Sequence, residues 1–137
     1  MNALAVDLAV LGDVEPLWRD WLEDARRRFR IDGTDLDQEL PNWRQLLVRY
    51  AEDRAPVYFR RDADVTAALR RLQAGGTSVG VFTEAPEELA RIALSHLGGD
   101  RRVDALETGA GARERVLRRL GANARVVSTR EELLAVT

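Results

Sequence analysis

Three stretches of this chain carry polar groups where a strand end could present them for chemistry. Asp7 is the one carboxylate inside the apolar run Ala3-Leu4-Ala5-Val6-Asp7-Leu8-Ala9-Val10-Leu11. Val79-Gly80-Val81-Phe82-Thr83 is a second apolar run and ends on a hydroxyl; Ala124-Arg125-Val126-Val127-Ser128-Thr129 is a third and ends on two. A carboxylate within a buried run is costly unless it is exposed at a strand end or paired. Asp7 is therefore the first residue to explain. Thr83 could satisfy strand-end amides ahead of Pro86. Thr129-Arg130-Glu131-Glu132 fits the Thr-x-x-Glu box that starts a helix, a simpler reading than a metal site.

Other reactive types are scarce. Cysteine is absent, so disulfides and thiolate metal sites are excluded. All 21 basic residues are arginine, which rules out lysine chemistry. His96 has no second ligand candidate nearby in sequence and reads as a partly buried helix residue. Arg26, Arg27, Arg28 and Arg30 read as a solvated helix end near its negative pole. Trp18, Trp21 and Trp43 could stack on a ligand or form a dimer interface; packing between two helices is the preferred account. Ile31-Asp32-Gly33-Thr34-Asp35-Leu36 follows an arginine-rich segment rather than an apolar strand, so it reads as a turn ending a helix.

The elements that must position these groups alternate regularly. Residues 3–11 read as a buried strand. Leu17, Trp21, Leu22, Ala25 and Phe29 predict a helix from Asp13 to Arg30. Pro41 starts a second helix bearing Trp43, Leu46, Leu47 and Tyr50, and residues 55–61 read as a connector with an extended piece at Val57-Tyr58-Phe59. Asp62 caps a helix that Gly75-Gly76 ends, ahead of a strand at 77–82. A helix from Pro86 to Leu97, a short strand at 103–106, a helix at 112–120, a strand at 124–128 and a helix at 130–135 complete the chain. Strands separated by single helices imply a parallel sheet with right-handed crossovers, whose carboxyl edge carries the site. Asp7, Thr83 and Ser128/Thr129 all fall at or near that edge.

The length of 137 residues suits one domain, and no apolar run is long enough to cross a bilayer. A net charge of −2 gives no broad electrostatic case for nucleic acid. Without a basic segment at the start, no signal peptide is expected, and the expected location is cytoplasmic.

On these residues the chain resembles the haloacid dehalogenase (HAD) superfamily of phosphatases and related hydrolases. The resemblance rests on the strand ending at Asp7, the helical insert 13–56 in the place of a cap, the strand-Thr motif ending at Thr83, and the helices and strands that follow. It implies that the first acid attacks phosphorus, that a second acid two residues later serves as general acid/base, and that the Thr steadies the phosphoryl group. It also implies a lysine that neutralises charge and an acid pair after the last strand that holds Mg²⁺. Here Ala9 stands for the second acid, and Val10 and Leu11 for the Gly-Thr that follows it. Arg113 or Arg115 would have to replace the lysine, and Ser128-Thr129 stands in place of the metal acids.

The expectation is therefore an α/β protein with a small parallel Rossmann-like sheet of about four strands, helices on both faces and a reduced helical cap. Residues 1–137 form a single domain, with a core of 1–12 and 57–137 and a cap of 13–56. The leading functional reading is a degenerate HAD-like protein, catalytically silent or weak, that binds a protein partner or small ligand. It would use no cofactor, metal, nucleic acid or membrane, and its cap helices offer a homodimer face. The alternative is an active phosphatase- or dehalogenase-like hydrolase with Asp7 as nucleophile and Thr83 and Arg113 as phosphate or substrate contacts. The dehalogenase branch works without a metal.

Overall fold

The computed structural model describes residues 2–137. Its strands are β1 (Ala3–Asp7), β2 (Ser78–Thr83), β3 (Ala105–Thr108) and β4 (Arg125–Val127). Its helices are α1 (Glu15–Phe29), α2 (Leu36–Glu39), α3 (Trp43–Tyr58), α4 (Ala63–Ala74), α5 (Glu87–His96), α6 (Ala112–Leu120) and α7 (Arg130–Ala135). The four strands form one sheet in the order β3-β2-β1-β4, with every pair parallel. The α/β class and the parallel sheet are as the alternation implied.

Side-chain alternation sorts the sheet into two faces. Leu4, Val6, Val79, Val81 and Val127 join the larger apolar core, which α4, α5 and α7 cover with Val65, Leu89 and Leu133. Ala5 and Phe82 point the other way and meet Ala112 and Val116 of α6. Gly80 lets α6 come close, because a Cβ there would lie 2.6 Å from a Val116 methyl and 3.0 Å from Leu120. The insert between β1 and α4 is continuous with the larger core, since Trp21, Ala25, Trp43, Leu47 and Ala55 belong to the same cluster as Leu4 and Val6.

Four details differ from the sequence expectation. β1 stops at Asp7 rather than running to Leu11, and Leu8–Val10 form one turn of 3₁₀ helix. Leu8, Val10 and Leu11 stay buried through that turn, so apolar continuity outlasts the strand. Val57 and Tyr58 are helical, not extended: α3 runs through Pro56, and Phe59 N–H closes it on the Ala55 carbonyl at 2.8 Å. A proline one turn from the end removes one ladder donor, a cost offset by burial of Ala51 and Ala55. The third strand begins two residues later than expected, because Asp104 turns its Oδ2 onto the Val79 N–H at 2.8 Å and forms the lead-in to β3. Phe29, expected in the buried stripe of α1, is 42% exposed beyond the last turn that packs inward.

Candidate functional site

Parallel register brings the strand ends together. Asp7 pairs with Phe82, so Thr83 lies one residue beyond it on the neighbouring strand, at the same carboxyl edge. Both side chains are half-buried. Asp7 Oδ1 accepts the Ala9 N–H at 3.0 Å and starts the 3₁₀ turn. Thr83 Oγ1 accepts the Ala85 N–H at 3.2 Å, leading the chain toward α5. Each group thus closes its own loop and still faces a cavity.

Two cavities meet at this edge and share Asp7, Thr83 and Glu84. The smaller, about 470 Å³, opens toward the start of α6 and brings in Gly111, Arg113 and Glu114. Arg113 is exposed and makes no ion pair among the described residues. Arg115 is committed elsewhere: its Nε lies 3.0 Å from Glu107 Oε1, and its terminal nitrogens donate to the Ala110 and Thr108 carbonyls. Arg119 reaches the other Glu107 oxygen at 2.8 Å. Hydrogen bonds from Arg119 and then Arg115 hold the Glu107 carboxyl below its ordinary range. Arg115 is therefore a clamp between β3 and α6, and Arg113 is the arginine left facing the edge.

The larger cavity, about 550 Å³, lies between the strand ends and the insert. Its far wall is the segment Thr34–Asp37, which includes part of the Asp-Gly-Thr turn. That turn does more than end α1: Asp35 Oδ1 accepts the Gln38 N–H at 3.3 Å and caps α2. Asp37 Oδ1 accepts from the Trp43 indole N–H at 2.7 Å, which ties the wall to α3. Trp18 and Trp43 also line the cavity. The three indoles form one cluster, with ring centroids 5.4 Å apart for Trp18–Trp21, 6.0 Å for Trp18–Trp43 and 6.1 Å for Trp21–Trp43.

The sequence reading missed Asp13, Glu15, Asp35, Asp37 and Glu84 as lining residues. Their one signal was the density of acids in the turn before α2 and directly after Thr83. Thr129 behaves as the cap it resembled: its Oγ1 accepts the Glu132 N–H at 3.1 Å. His96 is a half-buried residue in the last turn of α5.

The Mg²⁺ implied by the resemblance does not fit these residues. Ala9 offers no oxygen, Thr129 is engaged in capping α7, and no three acids or histidines converge as a metal cage among the described residues.

No family model and no curated protein sequence matches this chain. A crystal structure of a Thermotoga maritima protein, provisionally assigned as a beta-phosphoglucomutase, matches it with a TM-score of 0.58 at 17% identity. That match covers 99% of this chain and 81% of the other. The two chains share a fold, a Rossmann-like parallel α/β sheet with helices around it. At this identity the likeness speaks for the fold alone.

Proposed function

We propose that the protein is a degenerate HAD-like binding module, catalytically silent or weak, that holds a ligand or partner at the carboxyl edge of the sheet beneath the helical insert 13–56. The observation that carries this reading is the state of the strand-end groups. Asp7 is hydrogen-bonded into its own loop, the second acid is Ala9, and Thr129 is a helix cap. Phosphate-monoester hydrolysis needs up to on the order of 10²¹-fold acceleration, so a lone carboxylate without a proton donor or metal leaves turnover near detection. The insert helices also offer a self-association face around the exposed Phe29.

A second reading keeps one supporting observation. Asp7, Thr83 and Arg113 line a common cavity, so Asp7 could attack a substrate held by the other two without a metal. A hydrolase screen over phosphate esters and haloacids, with and without Mg²⁺, separates the readings. The binding module predicts turnover indistinguishable from Asp7→Asn. Turnover abolished by Asp7→Asn establishes the hydrolase.

A further inference from the structure

We infer that the larger cavity opens and closes by movement of one segment, residues 32–39, while the helices α1 and α3 of the insert stay fixed to the sheet. This rests on the binding-module reading for the use of the cavity and adds how the cavity is entered. The two long insert helices have no freedom to swing. α3 packs against α5, and Leu47, Ala51 and Ala55 of α3 lie fully buried in one cluster with Leu89 and Ala93 of α5. Leu17 and Trp21 of α1 belong to the same cluster as Val6 and Val81 of the sheet. At the surface Arg44 of α3 reaches Glu88 of α5 at 2.8 Å. Lifting α1 and α3 as a body would return all of this apolar surface to water.

The segment between those helices is held quite differently. Ile31 and Leu40 are buried and anchor its two ends, and none of residues 32–39 between them is buried. It is closed on itself: Glu39 Oε1 accepts the Gly33 N–H at 3.1 Å, Asp35 Oδ1 the Gln38 N–H at 3.3 Å, and the Asp35 carbonyl the Glu39 N–H at 3.0 Å. Among the described residues no hydrogen bond or ion pair joins it to the sheet, to the loop after β2 or to α5. The chain turns sharply at both joints. Arg30 sits at φ 54, the only non-glycine residue at positive φ among those described, and Pro41 follows directly on Leu40. A compact loop bonded within itself, with few outside ties and a joint at each end, moves as a unit.

Two contacts hold the segment down. Leu36 packs at the margin of the apolar core, and the Trp43 indole N–H donates to Asp37 Oδ1 at 2.7 Å. The second is a latch, because it ties the mobile segment to the fixed α3. Thr34, Leu36 and Asp37 stand in the cavity wall across from Asp7 and Thr83. Releasing the latch carries that wall outward and uncovers Trp18 and Trp43, while both faces of the sheet keep their helices. The segment is thus a lid over the strand ends.

Hydrogen exchange of the full chain, read residue by residue, together with acrylamide quenching of the indoles, tests the inference. In the unaltered protein the Glu39 and Leu40 amides should exchange roughly tenfold or more faster than those of Leu47 in α3 and Ala93 in α5. Asp37→Ala removes the latch and should speed Glu39 and Leu40 by roughly a further tenfold and raise the quenching, with Leu47 and Ala93 unchanged. Asp37→Asn keeps a carbonyl acceptor for the indole and should stay close to the unaltered rates. Equal protection of Leu40 and Leu47 in the unaltered protein overturns the inference. So does acceleration of Leu47 and Ala93 along with Leu40 in Asp37→Ala, which would mean that the insert moves as a whole, and so do unchanged rates and quenching in that variant. No substrate or ligand enters the measurement, so turnover in the hydrolase screen would overturn the binding-module reading and leave this result standing.

Discussion

Thr129 accepts the Glu132 amide proton at the start of α7, and removing its hydroxyl leaves that donor without a side-chain partner. Thr129→Ala should lower stability by about 1 kcal/mol, read as a shift in urea midpoint. Two carboxylates couple the fold to pH. Arg130 hydrogen-bonds Asp62 at 2.6 Å and holds its carboxyl below the ordinary range, and Arg119 with Arg115 does the same for Glu107. A depressed folded value means that the stabilisation is complete above the ordinary carboxyl range. It is lost as pH falls through the lowered values, when the folded state must take up protons. Urea midpoints should therefore drop on acidification. In Asp62→Asn the drop should be smaller, because one of the two linked groups is gone. Tyr58 runs the opposite way: its hydroxyl donates to Asp20, which raises its ionisation above the usual phenol range, so its contribution disappears only in strong base. Asp7 and Thr83 were legible in the sequence because a polar group interrupts or ends an apolar run there. Asp35 and Asp37 were not, because their place opposite the strand ends depends on how the insert folds back, which local spacing does not encode.

At the scale of elements, β2 and α6 meet through a missing side chain. Gly80→Ala places a Cβ 2.6 Å from Val116 and should cost about 1–3 kcal/mol, measured by thermal or urea unfolding. Arg115→Ala should also destabilise, because it opens the β3–α6 clamp, whereas Arg113→Ala should leave the unfolding midpoint unchanged. Helix periodicity and caps were readable: Asp62, Pro86, Gly121 and Thr129 mark ends that the structure keeps within a residue or so. The start of the chain was not readable in the same way. A strand and a buried 3₁₀ turn bury the same kind of side chain, and only the Asp7–Ala9 hydrogen bond tells where one becomes the other. The residues around Pro56 hid for the converse reason, since a helix breaker near a helix end is overruled by packing of the alanines before it.

For the molecule as a whole, the insert and the sheet share one apolar core, so loss of the indole cluster should be felt throughout. Trp21→Ala should cost about 3–5 kcal/mol and lower the single unfolding transition rather than split it. Self-association through the insert predicts concentration-dependent sedimentation that Phe29→Ser abolishes; a species of constant mass removes that face from consideration. The sheet is covered unequally: α4, α5 and α7 shelter one side, and the nine-residue α6 shelters the other. The least costly partial opening is then the lifting of α6, which uncovers Ala5 and Phe82 while the larger core stays closed. Arg113, Arg115, Arg118 and Arg119 all lie on that helix, so brief trypsin digestion under native conditions should nick the chain there first. Backbone amides of β3 should lose their hydrogen-exchange protection together with those of α6, ahead of β1 and the helices of the opposite side.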